Sequence, residues 1–187
     1  FIQKVMTESG LSTQLLPTDG QPLVYGEAKS AKPDAMTILF YGHYDVQPVE
    51  PLDAWNTPPF EPVEIEGRLY GRGTADNKGQ HLGHILAIRT LMKEIGDLPV
   101  HVKVLLEGEE ENGRPNLKEA VRKYKTLLQS DMVIISDGSI HDSWAPRISY
   151  GNRGILSFRI AVETASTDNH SGNKGGVIPN AGWELVR

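Results

Sequence analysis

The chain alternates short apolar runs with a helical pattern, and this alternation constrains its fold more than any other feature. Residues 36 to 41 and 100 to 106 are nearly continuous apolar runs of the kind found in buried strands. Between them, the apolar side chains of residues 80 to 95 recur mostly at steps of three and four, which predicts an amphipathic helix. This order favours right-handed crossovers, so the predicted fold is α/β, a mainly parallel sheet with helices on both faces.

Weaker patterns add elements before and after this centre. Residues 12 to 28 alternate around a Pro-Thr-Asp-Gly turn and predict a β-hairpin. Residues 116 to 128 have helical spacing, and residues 132 to 135 form another apolar run of strand type. These elements continue the alternation of strands and helices.

The character of the sequence changes from about residue 148. Residues 155 to 162 alternate between apolar and polar side chains, which predicts a half-buried strand. We therefore predict a first domain over residues 1 to 150 and the beginning of a smaller α+β domain over residues 151 to 187.

Composition narrows the classes of ligand and partner. The 187 residues contain no cysteine, so any metal must be bound by histidines and carboxylates. A net charge of -5 argues against a nucleic-acid surface. No apolar run approaches the roughly 20 residues that span a bilayer. We predict a cytoplasmic protein that binds small molecules or peptides, with no nucleic-acid or membrane partner, although a signal peptide cannot be tested on a chain whose two ends look internal.

One histidine and several carboxylates occur at the ends of predicted strands or in turns. The set is His43, Asp45, Asp76, Glu110, Glu111 and Asp137. Ligands of open α/β sheets bind past the carboxyl ends of the strands, so we expect these residues to lie in one region. Histidine and carboxylates without cysteine suit Zn, Mn or Co, and two such ions can activate a shared water.

Each of these residues also has a simpler explanation. Asp76 precedes a helix and suits an N-cap, a run of glutamates is typical of a solvated face, and Asp137 suits a turn. His81 and His84 share a helix face without an acidic partner at helical spacing, so we predict that they are surface residues. The joint occurrence of the acidic residues at successive strand ends favours the metal site.

Six segments carry an ordered pattern between about residue 40 and residue 176. They are residues 42–48 (GHYDVQP), 69–79 (LYGRGTADNKG), 107–113 (EGEEENG), 136–137 (SD), 148–154 (ISYGNRG) and 170–172 (HSG). This set resembles the co-catalytic di-zinc exopeptidases and deacylases, a family that includes carnosinases, glutamate carboxypeptidase, acetylornithine deacetylase and succinyl-diaminopimelate desuccinylase. Trp55 with Pro59 and Phe60 is most similar to the carnosinase-like dipeptidase branch. The resemblance implies a zinc-exopeptidase-like domain followed by a lid domain, which is used for dimerisation.

The resemblance implies a ligand set for two divalent metal ions, zinc in the first place, with Mn or Co as alternatives. It implies that His43 and Asp137 bind the first ion and that Glu111 binds the second. Asp76 bridges both ions in this scheme, and its peptide bond to the next residue is typically cis. One further histidine for the second ion is expected beyond Arg187.

The resemblance also implies three catalytic roles. Glu110 is the general base, and Asp45 orients the ring of His43. His170, in the lid, helps to polarise the scissile carbonyl, often from the partner subunit of a dimer. Two positions depart from the family's common residues, Asn77 for Asp and Asn112 for Ser; because neither binds metal, we expect no consequence.

The expected function is hydrolysis of a peptide bond in dipeptides or short peptides by attack of a metal-bound hydroxide. The resemblance implies a homodimer, of which this chain is an N-terminal piece that is inactive or nearly so by itself. Two alternatives stay open. One is an N-acyl amino acid deacylase of the same family, and the other is a non-catalytic fragment or relative.

Overall fold

The structure is a computed structural model that describes all 187 residues and divides them into two compact units. The first unit is Phe1–His141 and the second is Asp142–Arg187. The domain boundary that the sequence predicts after residue 150 remains a prediction about the whole protein. No helix combines the length and the apolar character needed to cross a membrane.

The first unit contains the sheet and the longer helices. In chain order its main elements are α1 (Ile2–Glu8), β1 (Ser12–Leu16), β2 (Leu23–Ala28), β3 (Thr37–His43), β4 (Val63–Ile65), β5 (Arg68–Tyr70), α2 (Gly79–Glu94), β6 (His101–Glu107), α3 (Leu117–Lys123) and β7 (Met132–Ile135). In the second unit, only α4 (Ser171–Lys174) and α5 (Ala181–Leu185) are regular. The predicted hairpin, central helix and apolar strands are therefore present.

The large sheet has the strand order β1-β2-β6-β3-β7, and β4 pairs with β5 separately. β6 pairs in parallel with β3, and β3 pairs in parallel with β7. β2 is antiparallel to both of its neighbours, β1 and β6. Thus β2 alone runs opposite to the other four strands. The predicted α/β fold is confirmed, and its sheet is mixed because of this one reversed strand.

The central strand β6 is apolar along most of its length because it is covered on both faces. Val104 packs into one buried cluster with Met6 of α1 and Ile85 of α2. Its neighbour Leu105 points to the other face and packs into a second cluster with Ala120 of α3. Alternate residues of a strand face opposite sides, so a strand between two helical layers has no polar side.

One predicted strand is wrong. Residues 155 to 162 have no regular structure, and Ile155 and Phe158 are 94% and 76% exposed. A strand is stable only when another strand satisfies its backbone hydrogen bonds. The second unit contains no strand that could pair with this segment.

Candidate metal centre

The carboxyl ends of β3, β6 and β7 lie side by side at one edge of the sheet. His43 of β3 is in register with Glu107 of β6, and Tyr41 is in register with Ile135 of β7. Residues that follow these strands therefore meet at this edge, as the strand order predicts.

The side chain of His43 is fully buried and lies at the centre of the acidic residues. Its Nδ1 lies 3.1 Å from the backbone oxygen of Asp45 and 3.2 Å from the Asp45 carboxylate. These oxygens can only accept a hydrogen bond, so they suit the tautomer with the proton on Nδ1, which is the tautomer that would offer the Nε2 lone pair to a metal ion. Nε2 points to Asp76 Oδ1 at 3.0 Å and Asp137 Oδ2 at 3.6 Å, which is the orientation that a metal ligand needs.

Asp76 lies in the turn that leads into α2, and the N-cap explanation for it is wrong. The N-cap of α2 is Lys78, and no side chain forms a cap hydrogen bond there. The Asp76 carboxylate instead faces His43 with 65% of its side chain exposed. The peptide bond between Asp76 and Asn77 is cis, as the resemblance implies.

Asp45 also organises the acidic turn after β6. Its two carboxylate oxygens accept hydrogen bonds from the backbone N–H groups of Glu110, at 3.3 Å, and Glu111, at 3.0 Å. The Glu111 carboxylate accepts a further hydrogen bond from Gln47 Nε2 at 2.8 Å. One carboxylate thus orients the His43 ring and the two glutamates together.

The other two glutamates of the acidic run have structural partners, so the run is not a solvated face. Glu107 is 1% exposed and accepts hydrogen bonds from the Tyr41 hydroxyl and from Arg114 Nε, the latter at 3.2 Å. Arg114 also pairs with the Glu110 carboxylate. Glu109 accepts from the backbone N–H of Gln21 at 3.1 Å and from the Asn116 side chain at 3.0 Å.

Sequence reasoning missed Arg114 and Gln47 as contacts of the acidic turn. Arg114 follows Glu110 by four residues, the spacing at which helical side chains meet, and this spacing is a usable local signal. The contact of Gln47 with Glu111 joins residues 64 positions apart, for which the sequence contains no local signal.

Burial and the neighbouring charges shift the pKa values of the cluster. Burial raises the pKa of Glu110, although Arg114 opposes this, and burial also raises the pKa of Asp137. Burial alone would lower the pKa of His43, but Asp76, Asp137 and Asp45 outweigh it and the pKa is raised. A raised pKa means that the ionised form of a buried carboxylate is disfavoured, and a bound cation would stabilise that ionised form.

Two groups of possible ligand atoms share His43. In one group the atoms of His43, Asp76 and Asp137 lie within 4.8 Å of one another, and in the other those of His43, Glu110 and Glu111 do so. The first group is the first-ion set that the resemblance implies. Asp76 and Glu111 fall in different groups, so the bridging role of Asp76 stays a prediction. The donor set of imidazole and carboxylates fits a divalent metal such as zinc.

His81 and His84 are not surface residues, which corrects the prediction made from their helical spacing. His81 is 6% exposed, and burial lowers its pKa to about 4, so that it is neutral at physiological pH. His84 stacks on the Phe40 ring and places Nε2 2.8 Å from Ser136 Oγ. Both histidines face the sheet because α2 packs its His81 side against β3 next to Gly42.

His170 lies in the second unit, at the N-cap of α4. Its Nδ1 accepts a hydrogen bond from the backbone N–H of Gly172 at 3.0 Å. The predicted role of His170 in polarising the carbonyl stays a prediction.

Gly108 in the acidic run is required by the Tyr44 ring. A Cβ at position 108 would overlap this ring, which is held by a hydrogen bond from its hydroxyl to the Pro22 carbonyl at 2.7 Å. We expect Gly108→Ala to lower the free energy of unfolding by about 1–3 kcal/mol, as overpacking does elsewhere. Gly83→Ala is the control: it lies in α2 with no atom within 4 Å of the new Cβ, and we expect it to raise stability by roughly 0.5–1 kcal/mol. Urea unfolding measures both, and equal stability of the two variants would contradict this account.

Comparison with known proteins gives the chain a family. The model of peptidase family M20/M25/M40 matches residues 39–183. The chain is 40% identical over 183 residues to the Beta-Ala-His dipeptidase of Mus musculus, and the aligned region covers 94% of this chain and 37% of that protein. It is also 40% identical over 177 residues to the Cys-Gly metallodipeptidase dug1 of Schizosaccharomyces pombe, with 90% of this chain and 37% of that protein covered.

A solved structure agrees with these matches. The crystal structure of human carnosine dipeptidase 1 superposes with a TM-score of 0.71 at 30% identity and covers 99% of this chain and 41% of the other. The chain spans less than half the length of these relatives. The match over residues 39–183 and the identity to these dipeptidases show that the chain belongs to peptidase family M20/M25/M40.

Proposed function

We propose that the protein containing this chain is a metal-dependent dipeptidase that uses two divalent ions, with zinc as the expected metal. The observation that carries the proposal is the placement of His43, whose Nδ1 is bound by Asp45 and whose Nε2 faces carboxylates. The relatives named Beta-Ala-His dipeptidase and Cys-Gly metallodipeptidase support a dipeptide as the substrate.

The residues of the site divide into ligands and a base. His43, Asp76 and Asp137 would hold one ion, and Glu111 would contribute to the other. Such ions supply a lowered pKa for water and polarisation of a carbonyl oxygen. Asp45 keeps the ligand ring of His43 in place and, through its bonds to the acidic turn, keeps Glu110 beside it.

Glu110 is the residue that we assign to proton transfer. Water adds to the carbonyl carbon of the scissile bond and gives its proton to the Glu110 carboxylate. The C–N bond then breaks, and Glu110 returns the proton to the leaving amine nitrogen. The raised pKa of Glu110, which burial causes, favours the proton-holding state that the second half of this sequence needs.

Metal removal tests the proposal. The protein containing this chain is dialysed against a chelator, and hydrolysis of β-Ala-His and Cys-Gly is measured before and after addition of Zn or Mn. We expect hydrolysis to be lost on chelation and restored by metal. Faster cleavage of N-acetyl amino acids than of either dipeptide would contradict the dipeptidase proposal and favour a deacylase.

Sedimentation of the same sample tests the expected homodimer, which a monomeric mass would contradict.

A further inference from the structure

Asn77, next to the proposed ligand Asp76, is a buried side chain with two hydrogen bonds to strand ends. It is 1% exposed. Its Oδ1 accepts from the backbone N–H of His43 at 3.1 Å, and its Nδ2 donates to the backbone carbonyl of Ser136 at 2.9 Å. The side chain therefore joins the end of β3 to the segment that follows β7.

These two hydrogen bonds lie where the backbone pairing of β3 with β7 ends. The parallel register of β3 and β7 ends at the pair Tyr41 and Ile135. Beyond this pair, His43 and Asp137 have no mutual backbone bond, and the Asn77 amide lies between the two chains instead. At this edge the His43 ring and the Asp137 carboxylate lie close together, with 3.6 Å from Nε2 to Oδ2.

The two backbone partners of Asn77 suit a side chain that both donates and accepts a hydrogen bond. A backbone N–H only donates, and a backbone carbonyl only accepts, so the residue between them must offer one acceptor and one donor. Asparagine does so, whereas an ionised aspartate would face the Ser136 carbonyl with a second acceptor. From the sequence we expect no consequence of the exchange of the family's common Asp for Asn77; the two hydrogen bonds of the amide are the reason to test that expectation.

Gly42, which has no side chain, leaves room for the Asn77 amide. A Cβ on Gly42 would lie 2.5 Å from Asn77 Oδ1 and 3.4 Å from His81 Cβ. A side chain at position 42 would therefore displace the amide from the strand ends.

We infer that Asn77 is a positioning residue whose amide sets the spacing of His43 and Asp137, so that the two can share one cation. The inference rests on the proposed function. It assigns no contact between Asn77 and the metal or the substrate.

The test is the zinc dissociation constant of the whole protein, measured by competition with a chelating dye. We expect Asn77→Asp to raise this constant by about 10- to 100-fold, as loss of an outer partner of a ligand does. Asn56→Asp, the same change at an exposed asparagine, is the control and should leave the constant unchanged. Asn77→Ser, which retains one hydroxyl donor and acceptor, replaces Asn77→Asp if that variant does not fold.

A double-mutant cycle separates positioning from general destabilisation. If Asn77 acts through the spacing of His43 and Asp137, Asn77→Asp should cost much less affinity in an Asp137→Asn background. Equal costs in both backgrounds, or wild-type affinity in Asn77→Asp, would overturn the inference alone. A wild-type protein without affinity for zinc or manganese would overturn the proposed function as well.

Discussion

Replacing Glu110 by glutamine in the protein containing this chain is expected to lower kcat by about 10²-fold or more, because a general base is lost. Glutamine has nearly the same shape and can still accept from Arg114, so the acidic turn should keep its conformation. What glutamine cannot do is take the proton from water. The effect should therefore fall on kcat, with KM nearly unchanged.

The measurement is steady-state hydrolysis of a dipeptide, with the metal content of each sample determined in parallel. Glu109→Gln is the matched control, since Glu109 belongs to the same run but bonds to Gln21 and Asn116 away from the ligands. We expect Glu109→Gln to retain kcat within a few-fold. Unchanged kcat in Glu110→Gln at full metal content would remove Glu110 from the role of base.

Replacing His43 by alanine is expected to abolish binding of the first ion and, with it, hydrolysis. His43 lies within 4.8 Å of the possible ligand atoms of both groups, and it is the imidazole that we assign to the first ion. The loss should exceed the roughly 10- to 100-fold that removal of an outer partner costs. It also leaves the carboxylates of Asp45, Asp76 and Asp137 without the imidazole that lies among them.

Metal content after dialysis, read by elemental analysis, measures this effect. His101→Ala is the control, because His101 is the first residue of β6 and lies at the opposite edge of the sheet from Glu107. Circular dichroism establishes that both variants fold. A His43→Ala protein that keeps wild-type metal content and activity would contradict the proposed centre and favour a non-catalytic relative.

Local patterns were enough to predict most of the first unit. The apolar runs at β3 and β6 and the helical spacing of α2 are properties of neighbouring residues, and each element formed where its pattern lies. The parallel order of β3, β6 and β7 then brings their carboxyl ends to one edge. For this reason the sequence alone predicts that His43 and the acidic residues lie together.

Local patterns failed where a partner decides the outcome. The alternation of residues 155 to 162 lacks a neighbouring strand, so it forms none. His81 has the spacing of a surface residue but faces the sheet and is buried. The partners of the Asn77 amide could not be predicted either, because the His43 N–H and the Ser136 carbonyl are 34 and 59 residues away in the sequence.

The sequence by itself determined which chemical groups this protein has and at which strand ends they occur, because that information lies in residue identity and short-range periodicity. The tertiary structure alone decided their orientation: Nδ1 of His43 toward Asp45, Nε2 toward Asp76 and Asp137, and the Asn77 amide between two strand ends. The physical reason is that each of these contacts joins groups brought together by the packing of strands and helices. Hydrogen-bond geometry at such contacts depends on backbone positions that no local pattern encodes.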